Sequence, residues 1–145
     1  MLHLDEEALE ATFWATELSY VANDGAKAIL PDECKFVMNQ PSQNIDDTKP
    51  WVKFNIVPGD SAIDATGTVP FYRQLGTAFL NINVPLGYGM SAAKEMRDQF
   101  TSAFRGWKSD DGHCSCYKLG VNTFEQDTYA QIKVTVYWES LRRPE

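Results

Sequence analysis

The most reactive side chains of the chain lie together at His113-Cys114-Ser115-Cys116, where two thiols and an imidazole suggest a soft-metal or redox site. Structural zinc takes four ligands in two recognisable pairs, and the other candidates, Cys34 and His3, stand in unrelated contexts. No metal is expected. Cysteines two apart on a strand share a face, a poor geometry for a mutual disulfide, so Cys114 and Cys116 read as reduced thiols pointing together into the core. Nucleophilic catalysis needs a nucleophile, a base and an orienting group; of the histidines only His113 is placed to serve, and no Gly-x-Ser-x-Gly elbow is present. Asp60 with Asp64, or Asp110 with Asp111, could be drawn as paired carboxylates, yet all four fall in Gly- or Ser-bearing stretches where acids are ordinarily solvated. Gly87-Tyr88-Gly89, just ahead of a helix, offers backbone N–H groups to an anion. It lacks the Gly-Lys-Ser/Thr ending of a P-loop and the third glycine of a dinucleotide site, and reads as a strand-to-helix turn. No catalytic residue and no cofactor are expected.

The composition bounds what such residues can serve. With 145 residues, 43% apolar and 23% charged, the chain has the profile of a single domain spanning 1–145 that buries a core without disulfides. A net charge of -7 works against binding to a polyphosphate backbone, so no sequence-specific nucleic acid is expected as partner. No run of about 18 apolar residues occurs, which argues against a membrane helix, and the first residues carry no signal-peptide pattern, so a cytosolic product is expected. The charge is uneven. Residues 1–26 carry Asp5, Glu6, Glu7, Glu10, Glu17 and Asp24 with no Lys or Arg, whereas residues 50–145 are balanced. That acidic segment is either a solvated helix face or a docking surface for a basic partner.

Residues 5–22 have helical spacing, with Asp5 as cap and Ala11, Trp14, Ala15, Leu18, Val21 and Ala22 on one side. From Ala26 to Pro50 the pattern is weak, and only Cys34–Met38 looks like a short strand. Val52, Phe54 and Ile56 then alternate with Trp51, Lys53 and Asn55 in a strand that Pro58-Gly59 is expected to stop. Ala78, Leu80, Ile82 and Val84 alternate in a second strand over 74–84. Between these strands Gly59–Tyr72 carries no helical period and is longer than a tight hairpin turn, so 59–72 is expected to be an extended arm that contacts a partner. Met96, Phe100, Phe104 and Trp107 mark a helix that Ser91 can cap, and two further strands are expected over 113–124 and 129–141. The order predicts an α+β fold: a mostly antiparallel sheet of about four to five strands with two main helices packed against it. Trp14, Trp51, Trp107 and Trp138 with eight Phe and six Tyr exceed the obvious need of one core, which moves the balance toward an interaction protein.

The run Pro50-Trp51-Val52-Lys53-Phe54-Asn55-Ile56-Val57-Pro58-Gly59, then Tyr72-Arg73-Gln74-Leu75-Gly76 and Phe79-Leu80-Asn81-Ile82-Asn83-Val84-Pro85-Leu86-Gly87-Tyr88-Gly89, resembles the tail terminators, minor tail proteins of long-tailed bacteriophages. The likeness continues through the 91–107 helix to Val136-Tyr137-Trp138-Glu139. The resemblance implies a non-enzymatic virion protein of the tail and neck. Such a subunit joins five others of its kind in a homohexameric ring that caps the tail tube protein and meets the head–tail stopper or connector protein. It implies no cofactor. Contacts are then expected along the arm and at the following turn, at Asp60, Asp64, Thr68, Phe71, Tyr72, Arg73 and Tyr88. The alternatives are another ring-forming neck or tail-tube protein, or a small hydrolase or ligand-binding domain using His113 or the Gly87/Gly89 turn.

Overall fold

The computed structural model describes residues 2–22, 25–37, 49–63, 71–85, 90–125 and 129–142. Helix α1 (Leu2–Ala15) leads into a hairpin of β1 (Ser19–Val21) and β2 (Lys27–Ile29), then a short 3-10 turn (Asp32–Cys34) and β3 (Lys35–Val37). Strands β4 (Trp51–Ile63) and β5 (Tyr72–Pro85), helix α2 (Ser91–Phe104), and strands β6 (Cys114–Glu125) and β7 (Tyr129–Arg142) follow. The fold is α+β. A five-stranded sheet runs in the order β3-β4-β5-β7-β6, antiparallel except for the parallel β3–β4 pair, and the β1–β2 hairpin forms a separate two-stranded sheet.

One face of the large sheet is buried beneath the helices. Val52, Phe54 and Ile56 of β4, Ala78, Leu80, Ile82 and Val84 of β5, and Ile132, Val134, Val136 and Trp138 of β7 share it, as period-2 alternation requires. Phe54 is the hub. It stacks on Phe13 of α1 at 5.0 Å and meets Phe100 and Phe104 of α2 at 6.0 and 6.1 Å. Met96, Phe100 and Phe104 are fully buried, so the helical spacing read in 91–107 does place this face on the sheet. The helix ends earlier than expected, at Phe104, because Gly106 takes a left-handed conformation (φ 69°) that reverses the chain. Met90 takes the cap position and Ser91 makes no capping bond; Ser91 is the first helical residue.

The first helix departs more from expectation. It spans Leu2–Ala15, and Leu9 and Phe13 are its core residues, while Trp14 and Val21 are largely exposed. Residues 19–21 instead pair with β2 as a strand, and side chains of α2 bond its other flank. Ser19 N–H donates to Gln99 Oε1 at 2.7 Å, Gln99 Nε2 donates to the Ser19 carbonyl at 3.0 Å, and Val21 N–H donates to Glu95 Oε2. Two distant side chains thus satisfy backbone groups that a longer helix would have bonded internally. The end of α1 is held by Lys35, whose buried ammonium donates to the Thr16 carbonyl at 2.8 Å. Burial pushes the Lys35 pKa down, while Asp32 and Glu17 oppose the shift.

Pro58-Gly59 does not stop β4. The strand shifts register between Pro58 and Ser61 and resumes pairing with Ser61↔Gln74, Ala62↔Arg73 and Ile63↔Tyr72. A bulge absorbs the awkward pair and the strand continues, so residues 59–63 of the expected arm belong to β4, and 64–70 lie outside the described residues. Gly76 has a separate role: a Cβ there would stand 2.3 Å from Trp138 Cζ2, so only a glycine lets the indole lie across β5.

Candidate assembly surface

His113, Cys114 and Asp111 do gather, at the end of β7, but as a clamp. Arg142 donates through Nε at 3.0 Å and Nη2 at 2.6 Å to Oδ1 of Asp5, and its Nη2 lies 3.0 Å from Asp111 Oδ2. Asp5 is 1% exposed, so the residue expected to cap α1 instead forms a buried ion pair with the last described residue of β7. Asp111 also accepts from the Ser109 hydroxyl at 2.6 Å and from His113 N–H. These bonds, the Ser109 one foremost, hold the Asp111 carboxyl down to about 2.

Cys114 is fully buried, and burial pushes its thiol up to about 12, which removes it as a nucleophile at neutral pH. His113 Nδ1 is engaged at 2.9 Å with the Leu141 carbonyl. Cys116 is only half-buried, with burial raising its pKa as well. Both cysteines pair with core-side residues of β7, Cys114 with Ser140 and Cys116 with Trp138, ahead of the register shift between Cys116 and Lys118, and Cys116 packs at the margin of the core. Among the described residues no group of three or more His, Cys, Asp or Glu is disposed to hold a metal ion.

The second face of the large sheet has a different character. It carries Phe36, Trp51, Lys53, Asn55 and Val57 at one side, Leu75, Thr77, Phe79 and Asn81 on β5, Lys133, Thr135, Tyr137 and Glu139 on β7, and Lys118 on β6. No described element lies across it. The lysines rest on aromatic rings: Lys133 Nζ stands 4.2 Å from the Phe79 centroid and Lys118 Nζ 5.0 Å from that of Tyr137. Phe36 and Trp51 meet edge to face at 5.9 Å. Among the described residues no carboxylate pairs with Lys53, Lys118 or Lys133. Glu139 on this face accepts from Arg73 Nη2 at 2.8 Å and Nε at 3.1 Å.

On the opposite side the acidity belongs to α1, since α2 balances Glu95 and Asp98 with Lys94 and Arg97. Helix α1 holds Asp5, Glu6, Glu7 and Glu10 with no lysine or arginine, and its outward face presents Leu4, Glu7, Ala11 and Trp14. Asp5 alone among these acids is neutralised internally.

The residues expected at contacts divide between these surroundings. Asp60 sits exposed in the β4 bulge. Tyr72 opens β5 on the helix side, opposite Arg142, whereas its neighbour Arg73 lies on the open side, bonded to Glu139. Phe71 is half-buried just before β5. Asp64, Thr68 and Tyr88 lie outside the described residues, as does the Gly87/Gly89 turn. The lysine and aromatic residues of the open face were not among the expected contacts. Their signal was present: Trp51, Phe79 and Tyr137 occupy the register of their strands that a solvated face would fill with polar side chains.

No protein-family model matches the chain, and no curated protein does. A solved structure whose name carries no functional word superposes with a TM-score of 0.60 at 15% identity, covering 97% of this chain and 98% of that one. At that identity the likeness concerns the fold alone.

Proposed function

We propose that the chain is a tail terminator of a long-tailed bacteriophage, six copies of which close into a ring that caps the tail tube and offers its other side to the head–tail stopper or connector protein. The observation that carries this reading is the presence of two unlike surfaces on opposite sides of one subunit: an open sheet face with cations set on aromatic rings, and a first helix rich in carboxylates. A ring of identical subunits needs such a heterologous pair, since each copy shows its neighbours two different patches. The sequence motifs from Pro50 to Gly89 support the choice of this family among ring-forming virion proteins. A hydrolytic reading finds less support, because the Cys114 thiol is buried and His113 Nδ1 is spent on a backbone carbonyl.

Mass photometry of the purified chain, followed by electron microscopy with isolated tail tubes, tests the proposal. A closed six-subunit particle that binds one end of a tube is the expected result. Open-ended polymers point to a tube protein, and a chain that stays single at every concentration and never binds a tube end overturns the reading.

A further inference from the structure

The open sheet face has the size of one half of a stable protein–protein contact. Four strands at about 4.8 Å spacing, with about twelve paired residues at 3.4 Å each, make a surface of roughly 800 Å², the area each partner contributes to a standard interface. Its chemistry is specific. Among the described residues no carboxylate pairs with Lys53, Lys118 or Lys133, which stand with Trp51, Phe79 and Tyr137 on a chain whose net charge is -7. Such a face favours a partner that brings carboxylates interleaved with apolar side chains.

The same chain carries that complement. On α1, Leu4, Glu7, Ala11 and Trp14 follow one another at three- and four-residue steps and are all exposed, with Glu6 and Glu10 flanking them. Leu9 and Phe13, on the other side of the helix, pack toward Phe54 on the buried face of the sheet, so the α1 stripe points away from the open face of its own subunit. It is out of reach of its own lysines. We infer that the open sheet face of one copy receives the outward α1 face of a second copy, with Glu7 and Glu10 against Lys53 and Lys133 and with Trp14 or Leu4 seated among the aromatic rings. The contact rests on the ring reading above and deepens it by naming the two faces that meet. Helix α1 is about 21 Å long and covers only part of the sheet. The β1–β2 hairpin, whose Val21 and Ile29 are 46% and 60% exposed, extends the same layer and supplies more apolar area.

Charge reversal on each side separately, then together, tests the contact. Lys53→Glu/Lys133→Glu and Glu7→Lys/Glu10→Lys change exposed or half-exposed side chains, and circular dichroism should show both variants folded. Each is expected to weaken self-association at least about tenfold by placing like charges opposite one another. Mixed one to one, they should reassemble, since an acidic sheet face then meets a basic helix and the untouched pair alternates with it around an even-numbered ring. The milder Lys53→Gln/Lys133→Gln should weaken association less. A wild-type ring with variants that assemble equally well would overturn this pairing of faces while leaving the ring reading in place. Variants that fail alone and also fail when mixed would overturn it too. A wild-type chain that never associates would overturn both.

Discussion

The Asp5–Arg142 pair joins the first helix to the last described strand across 137 residues of sequence, and its partners are not equally buried: side chains of 1% and 13% exposure, respectively. Replacing Arg142 by Met leaves the Asp5 carboxylate buried without a counter-charge. A loss of about 3–5 kcal/mol is expected by urea denaturation, and Asp5→Leu in the same chain should recover a large part of it. Asp111 adds a pH dependence. Its folded pKa lies below its ordinary value of 3.8, so its contribution is complete above that value and lost as pH falls through about 2. Asp111→Asn should therefore flatten the acid limb of a stability–pH curve between about pH 4 and pH 2, and an unchanged limb would show that the carboxyl is not held. Nothing in the sequence indicated this clamp. An acid in the first turn of a helix has a ready role as a cap, and only the three-dimensional return of β7 makes Asp5 a buried partner.

Elements with a strong period were legible. Strands β4, β5 and β7 and helix α2 carry alternating or three-four apolar spacing over many residues, and the structure reproduces their buried faces. The short elements were not. Strand β1 has three residues, and its pairing depends on Gln99, eighty positions away, a partner no local pattern reveals. Gln99→Ala should remove all three bonds to Ser19 and cost about 1–3 kcal/mol, with amide exchange rising first in residues 19–21 and 27–29. If those amides stay protected, the hairpin is held by something other than α2. Pro58-Gly59 misled for a related reason: proline and glycine end strands in most settings, yet an edge bulge accommodates them when the partner strand continues. Across the same pair of strands, Gly76→Ala should destabilise by about 1–3 kcal/mol through its clash with the Trp138 ring. In a Trp138→Phe background the added methyl should cost measurably less, which a thermal-melt double-mutant cycle would read.

At the scale of the whole subunit, the division into an acidic first helix and a cationic, aromatic sheet face was half legible. The acid-only N-terminal segment stands out in the sequence, whereas the lysines of the open face are scattered over β4, β6 and β7 and come together only when the strands pair. The expected arm was too long at its start, since Ser61, Ala62 and Ile63 belong to the sheet. Replacing residues 64–70 by Gly-Asn-Gly should therefore keep the melting temperature, because the Ile63↔Tyr72 pair already closes the hairpin. On the proposed function it should abolish tube capping or ring closure. Loss of the fold on making this replacement would assign the segment to the core and deny it a contact role.

Strand β7 lies between β5 and β6 although it follows both in the chain. During translation, β5 and β6 thus leave the ribosome with open flanks and must wait for the strand that will separate them. In that interval their exposed ladders can capture other nascent chains. A truncated product ending before Tyr129 would keep both ladders open for good and should aggregate rather than remain as a folded subunit.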